Sequence, residues 1–170
     1  LNSGDYSLCE DFNDGSLTEN PTWNGDTADW TISDGQLQSN GPAVSGTFLQ
    51  LTTPSSAISN TEWQFFVNPK LSTSSNNYMD VFLVSDTDNL KDTPNGYFVR
   101  IGDTSDDVTL FRADDGEETQ LIDGFAASIG SSSNNPVQIK VTRSTEGLWT
   151  LQTAIGGGDI FTVEGTVTDL

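Results

Sequence analysis

The chain has 170 residues, with 25 Asp or Glu against 6 Lys or Arg, one cysteine and no histidine. A formal charge of −19 argues against nucleic acid or an anionic membrane as the partner, because both are bound through clustered Lys and Arg. Without histidine there is no Ser-His-Asp or Cys-His catalytic machinery, and the single Cys9 excludes an intrachain disulfide.

The strong acidity indicates a setting where salt or divalent ions screen the charge, which favours an extracellular location. The opening LNSGDYSL has neither the basic region nor the apolar run of a signal peptide. We therefore expect the mature part of a secreted or cell-surface protein. Membrane insertion is not expected, because no run approaches the roughly 20 apolar residues that span a bilayer. Cys9 is expected to pack as a small hydrophobe.

Short runs of alternating apolar and polar residues, separated by Gly, Asn, Asp, Ser and Pro, predict an all-β chain. The predicted strands are 6–12, 29–33, 36–39, 47–53, 62–71, 78–85, 97–102, 108–113, 119–123, 137–143, 148–154 and 160–167. Asp-Gly pairs at 14–15, 34–35, 115–116 and 123–124 are expected to supply the positive φ of tight turns. With no fixed repeat and no linker, the pattern predicts one antiparallel two-sheet β-sandwich over 1–170.

The first motif is the acidic stretch CEDFNDGSL at 9–17. Two interpretations stay open. It is either a half-buried edge strand whose carboxylates point at water, or a calcium site in which Glu10, Asp11 and Asp14 supply oxygens beside turn carbonyls. A second acidic run, SDTDNLKDTPNG, is not an EF-hand, since Lys91 stands where glycine is needed and Tyr97 where the bidentate Glu is needed. This run is expected to be a surface loop.

Aromatic side chains are candidates for sugar binding, because their faces stack on pyranose rings while polar groups bond the hydroxyls. Trp23, in the loop NPTWNGDT, is the aromatic residue least explained by strand alternation, and its alternative role is a lid on the end of the core. Tyr78 and Tyr97 complete the aromatic candidates.

Two arginines lie in the predicted strands GYFVRIG and VTLFRAD. Arg100 shares a face with Phe98, whereas Arg112 falls on an otherwise apolar face and therefore needs a carboxylate or carbonyl partner. Both are either structural ion-pair partners or groups that line a binding face.

A glycosidase with two carboxylates is compatible with the charge count, but no predicted strand carries carboxylates at i, i+2 and i+4. We therefore expect no enzymatic activity.

Several segments together resemble a concanavalin A-like (laminin-G-like) β-sandwich, a jelly-roll module of secreted and surface proteins of Bacteroidota. They are EDFNDGSLTENPTWNGDTADWTISDGQLQSNGPAV, LTTPSSAISNTEWQFFVNPKL, NNYMDVFLVSD, NGYFVRIGDTSDDVTLFR and VQIKVTRSTEGLWTL. Such modules often accompany lamin-tail domains and a type IX secretion signal. The opening is also similar to sandwich modules that bind sugars beside glycoside hydrolases.

The resemblance implies a structural calcium near the first and last strands, with Glu10, Asp11 and Asp14 as the N-terminal ligands and Asp169 as a stand-in for the C-terminal acid. Modules of this type usually continue past EGTVTD with further strands. We therefore expect either a C-terminally truncated sandwich, with the edge of the first strand unpaired, or a sandwich closed differently.

Two functions follow from these observations. The first is a noncatalytic carbohydrate-binding or adhesive module, whose mark would be Trp23, Tyr78 or Tyr97 exposed beside Asn and Arg. The alternative is a structural or assembly module, or type IX secretion cargo, that contacts other protein chains through an exposed strand edge without an aromatic platform.

Overall fold

The computed structural model describes residues 8–170, which are almost entirely β-structure. The strands are β1 (Asn24–Gly25), β2 (Trp30–Ser33), β3 (Gln36–Ser39), β4 (Leu51–Thr52), β5 (Thr61–Val67), β6 (Tyr78–Ser85), β7 (Gly96–Gly102), β8 (Asp107–Asp114), β9 (Glu117–Ile122), β10 (Val137–Arg143), β11 (Leu148–Ile155) and β12 (Thr162–Thr168). A 3-10 turn, Thr27–Asp29, precedes β2. No helix in this part of the chain is long and apolar enough to cross a membrane.

The chain divides into two compact units, of which the first comprises Leu1–Ala57 and Asp86–Pro94. Within it, β1 pairs with β4 and β2 pairs with β3, both antiparallel. The β2–β3 turn is Asp34-Gly35, with φ of 53° and 69°. Positive φ at both central residues is the geometry of the two-residue hairpin that Asp-Gly predicts.

The second unit, Ile58–Ser85 and Asn95–Leu170, contains two four-stranded antiparallel sheets. One has the order β6-β7-β8-β9 and the other β12-β11-β10-β5. Alternate residues of facing strands bury their side chains between the sheets, and Val99, Leu110, Ile139 and Leu151 are each 0% exposed. The described residues therefore form the predicted all-β fold with two packed antiparallel sheets.

Aromatic stacking closes one end of this core. The Trp149 ring, 0% exposed, lies 5.7 Å from Trp63 and 4.3 Å from Tyr97 between ring centroids. All three rings project inward from three different strands, as the alternation of β5, β7 and β11 requires. Large flat rings bury much apolar area at this end of the sandwich.

The first predicted strand, 6–12, is wrong in its described part. Residues 6 and 7 lie outside the described residues, and 8–12 carry no strand. Glu10 and Asp11 instead accept hydrogen bonds from backbone N–H groups two residues ahead, at Phe12 (2.6 Å) and Asn13 (3.0 Å). Such local bonds compete with a sheet ladder, and the positive φ of Phe12, 54°, bends the chain further.

Other differences are smaller. The predicted strand 47–53 shortens to β4, and β5 ends at Val67 rather than at residue 71, before Pro69, which has no N–H for a ladder. Asp123-Gly124 is not a positive-φ turn. Gly124 is needed for another reason: a Cβ there would lie 2.2 Å from the carbonyl oxygen of Val108.

Candidate functional site

The outward side of the β6-β7-β8-β9 sheet carries a cluster of aromatic and charged side chains. Register places Asp80 of β6 opposite Arg100 of β7, and Phe98 of β7 opposite Phe111 of β8. Because neighbouring strands present every second residue to the same side, these side chains meet above the sheet. We call this surface the Arg100 face and define it as Tyr78, Asp80, Phe98, Arg100, Phe111 and Glu118.

Two carboxylates, those of Asp80 and Glu118, accept hydrogen bonds from the Arg100 guanidinium. Nε and Nη2 each donate to Asp80, at 2.9 Å, while Nη1 and Nη2 donate to Glu118 at 2.9 and 3.1 Å. Asp103 lies farther away, 3.9 Å from Nη1. Paired two-point bonds fix the guanidinium plane as well as its position. Arg100 is therefore rigid although it is near the surface.

Aromatic rings surround the same guanidinium. Its Cζ lies 4.3 Å from the centroid of Tyr78, 5.1 Å from Phe111 and 5.3 Å from Phe98. Phe98 stacks nearly parallel to Phe111, with an interplanar angle of 7°, and is 1% exposed. Tyr78 is 44% exposed. The Arg100 face thus offers one accessible ring beside charged groups whose positions are fixed.

Burial and charge shift the ionisation of this cluster. Burial lowers the pKa of Arg100, but its hydrogen bonds to Asp80 and Glu118 outweigh that effect, so the pKa lies above its ordinary value. Burial raises the pKa of Asp80 more than Arg100 lowers it. Burial also raises the pKa of the Tyr78 phenol. The arginine is therefore always charged, and Asp80 depends on it for compensation.

A shallow pocket of about 120 Å³ adjoins the Arg100 face where β7 turns into β8. We call it the aspartate pocket, and its lining includes Asp103, Thr104, Ser105, Asp107, Thr109, Phe111, Gln120 and Asp123, with Arg100 at its side. Asp107 is 5% exposed, and its Oδ1 accepts a 2.9 Å hydrogen bond from Thr109 Oγ1. Burial first, and then the charges of Asp123 and Asp103, raise the pKa of Asp107.

A wider pocket of about 370 Å³ lies on the β12-β11-β10-β5 sheet, lined by Asn60, Thr61, Glu62, Thr142, Arg143, Ser144, Leu148 and Thr150. No aromatic ring belongs to this lining, and it has a single carboxylate. It lacks the ring that sugar stacking requires.

The structure does not bring the predicted ligand-binding residues together. Tyr78 and Arg100 share the Arg100 face, whereas Tyr97 and Arg112 face the core side of the same sheet. Trp23 lies in the first compact unit, where its Nε1 donates to Glu10 Oε2 at 3.1 Å.

Arg112 has the carboxylate partner that its apolar face requires. Its Nη1 lies 2.6 Å from Asp169 Oδ1, and the neighbouring charge and hydrogen bond of Asp169 add to burial in raising the pKa of Tyr97. Both Arg100 and Arg112 therefore form ion pairs, as the ion-pair interpretation predicts.

The carboxylates of Glu10, Asp11 and Asp14 are engaged separately. Glu10 bonds Phe12 N and the Trp23 indole, Asp11 bonds the backbone and side chain of Asn13, and Asp14 accepts from Ser16 N at 2.9 Å. Among residues 8–170, no three Asp, Glu or Cys side chains are placed to surround one metal ion. As placed, these carboxylates do not form a calcium shell, and calcium binding here stays a prediction.

Cys9 corrects a sequence expectation, because its side chain is exposed rather than packed. It lies in the same non-strand segment as Glu10 and Asp11, so no sheet face covers it.

Sequence reasoning missed Asp80, Glu118 and Asp107. Asp80 alternates with Tyr78 in a correctly predicted strand, so strand parity could have placed it beside Arg100 once β6 was known to pair with β7. Glu118 lay outside the predicted strand 119–123, which begins two residues later than the observed β9. The pairing of strands distant in sequence was the missing information.

Comparisons with known proteins add nothing to the evidence from the fold and the site. No protein-family model, curated protein or solved structure matches the chain.

Proposed function

We propose that the chain is a noncatalytic carbohydrate-binding or adhesive module of a secreted or cell-surface protein, and that it binds sugar on the Arg100 face. The observation that carries the proposal is an exposed Tyr78 ring, 44% accessible, beside charged groups held rigid by mutual hydrogen bonds. A pyranose ring stacks on an aromatic face through its C–H groups while fixed polar groups bond its hydroxyls.

Rigidity supports this proposal. The forked bonds of Arg100 to Asp80 and Glu118 hold all three side chains before any ligand arrives. A site ordered in advance loses less side-chain entropy on binding, which matters for weak, multiply hydrogen-bonded ligands such as sugars. The adjoining Thr, Ser and Gln side chains of the aspartate pocket add hydroxyl and amide partners.

The wider assignment belongs to the same proposal. The motifs that resemble concanavalin A-like modules of Bacteroidota support a secreted module, and the all-β sandwich of the second unit is compatible with it. Type IX secretion and association with lamin-tail domains rest on that resemblance alone.

A glycan array followed by calorimetry tests the proposal. We expect Tyr78→Ala to weaken the best glycan about tenfold, the equivalent of about 1.4 kcal/mol, with Tyr78→Phe close to the native chain because the stacking face is kept. Phe48→Ala removes a comparably exposed ring, 52% accessible, from the first unit and should leave affinity unchanged. An array with no bound glycan would refute the proposal.

The alternative is an assembly module that contacts other protein chains. Its supporting observation is that, in the described part of the chain, β5 is an edge strand that pairs only with β10. An open edge accepts an added strand. Placing Pro at Gln64 in β5 and measuring oligomeric state by light scattering tests it: self-association that disappears in the variant favours assembly, and a monomer at every concentration argues against self-assembly.

A further inference from the structure

The β12-β11-β10-β5 sheet is open at β5, and we call the side of Thr61–Val67 that faces away from β10 the β5 edge. In the described chain, no backbone N–H or C=O of Thr61–Val67 takes part in a hydrogen bond outside the pairing with β10. At the other edge of the sheet, β12 lies against β9, since a Cβ at Gly165 would be 2.8 Å from Ile122 Cγ2. At about 3.3 Å per residue, the open β5 edge is about 23 Å long.

The β5 edge lacks the features that usually stop one sheet edge from pairing with another. Lysine, proline and β-bulges are the common protections of a sheet edge. The strand TEWQFFV contains neither Lys nor Pro, and its register with β10 runs without a shift from Thr61 to Val67. By contrast, β9 and β12 each pair with their neighbour through a register shift. The β5 edge is therefore suited to accept a further strand.

The distribution of charge favours the same edge for contact with a second copy of the chain. β5 and β10 together carry one carboxylate, Glu62, and two cations, Lys140 and Arg143, in a chain whose formal charge is −19. Lys140 Nζ lies 3.5 Å from Glu62 Oε1, so the carboxylate of β5 is compensated within its own sheet. β9 and β12 carry carboxylates and no cation. Two such acidic chains therefore repel each other less through β5 than through β9 or β12.

The sequence of β5 is complementary to itself in an antiparallel arrangement. A two-fold axis at Gln64 is the arrangement that pairs all seven residues of the strand with a second copy. This axis sets Thr61 opposite Val67, Glu62 opposite Phe66 and Trp63 opposite Phe65 of the second copy, and the two Gln64 side chains face each other. No like charges are opposed, and aromatic side chains meet on the core side of the sheet, where Trp63 and Phe65 are only partly buried.

We propose that the β5 edge pairs with the β5 edge of a second copy of this chain, antiparallel about a two-fold axis at Gln64, so that two four-stranded sheets join into one. Such an interface is isologous, because the same surface serves both copies. The inference does not depend on sugar binding at the Arg100 face. It names the occupant of the edge on which the alternative assembly function rests.

Light scattering of the full chain, from micromolar to submillimolar concentration, measures the association. We expect a monomer–dimer equilibrium that shifts toward the dimer as salt is raised to about 0.5 M, because salt screens the repulsion between two acidic copies. A chain that stays monomeric at every concentration in low and high salt overturns the proposal. A chain that binds glycans without forming a dimer refutes this inference alone, and a dimer that binds no glycan refutes the sugar proposal alone.

Charge variants at the axis test which residues meet. Gln64→Lys and Gln64→Glu each set two like charges opposite one another and should each raise the dimer dissociation constant about fivefold, whereas an equimolar mixture of the two variants should associate again. Gln152→Lys is the matched control, because Gln64 and Gln152 both lie directly opposite Lys140, one in the edge strand and one in β11. This control should keep the native dissociation constant. An equal effect of Gln152→Lys and Gln64→Lys, or a mixture that does not associate, would show that β5 is not the interface.

A disulfide across the axis tests the register. Residues directly opposite in antiparallel strands have Cβ atoms about 4.5–5.5 Å apart, so Gln64→Cys should form a disulfide between two copies on mild oxidation. The variant is made together with Cys9→Ser, which removes the exposed native thiol. Gln152→Cys in the same background is the control and should stay unlinked. Equal cross-linking of the two variants would mean that the thiols meet by random collision, which overturns the two-fold pairing.

Discussion

Arg112 Nη1 donates a 2.6 Å hydrogen bond to Asp169 Oδ1, which joins the middle of the chain to the residue just after β12. The backbone of Asp169 is held as well, since its N–H bonds Gly147 O at 2.9 Å and its carbonyl accepts from the Trp149 indole at 3.2 Å. Asp169 therefore holds the end of β12 beside the stacked rings of Trp149 and Trp63.

Asp169→Ala is expected to lower the free energy of unfolding by about 1 to 3 kcal/mol, because it removes a charged hydrogen bond and leaves Arg112 beside apolar rings. Urea denaturation followed by tryptophan fluorescence measures this. Asp159→Ala makes the same charge change at an exposed turn and should be nearly neutral. A loss at Asp169 no larger than at Asp159 would show that the ion pair contributes nothing.

Arg100→Leu should be more damaging, by about 3 kcal/mol, because it removes the largely buried Arg100 and leaves the carboxylate of Asp80, 17% exposed, without its cation. The variant should recover part of its stability on acidification, since protonation removes the uncompensated charge. Combining it with Asp80→Asn should restore much of the loss at neutral pH. Equal denaturation midpoints for the single and double variants would contradict this account of the cluster.

Asp107 makes a pH-dependent contribution of defined sign. Its pKa in the folded chain is raised above the unfolded value, so its effect on stability is most favourable below the unfolded pKa and is lost as pH rises through the folded pKa. Asp107→Asn keeps the acceptor for Thr109 and should therefore raise the melting temperature at pH 7, with no gain near pH 3. Calorimetry at both pH values measures the melting temperatures of the native chain and the variant. An equal rise in melting temperature at pH 7 and pH 3 would show that ionisation of Asp107 is not the cause.

Gly124→Ala tests a close approach of two backbone segments. The added Cβ would lie 2.2 Å from Val108 O, so the chain must shift, at a cost of about 1 to 3 kcal/mol. Gly158→Ala is the matched control, because nothing lies within 4 Å of its Cβ position and its φ is not positive. Thermal melts of the two variants should differ clearly; similar melts would mean that the loop at Gly124 yields without cost.

The calcium prediction at the opening stretch is tested by melting the chain with excess calcium and then with chelator. A site that binds only the folded state raises the midpoint, by about 2.7 kcal/mol in stability at a hundredfold excess over Kd. Glu10→Gln, Asp11→Asn and Asp14→Asn should then each reduce the rise. If these carboxylates only face water and bond their own turn, the melts should be identical with calcium and with chelator.

Most of the sandwich could be predicted from the sequence. Nearly every strand of the second unit follows alternation that is visible in the chain, and β3, β6 and β10 have the predicted bounds. The first strand could not be predicted in this way, because Glu10 and Asp11 alternate like strand residues yet bond their own turn. Alternation reports which residues suit a sheet, but it does not report local hydrogen bonds that compete with one.

The candidate site was likewise predictable only in part. Sequence alone determined that Arg100 shares a face with Phe98 and that Arg112 needs a partner, since strand parity and the cost of a buried charge are local facts. Only the tertiary structure decided that the partners are Asp80 and Glu118 in one case and Asp169 in the other. Strand order and register bring together residues far apart in the chain, and one sequence contains no geometric record of that pairing.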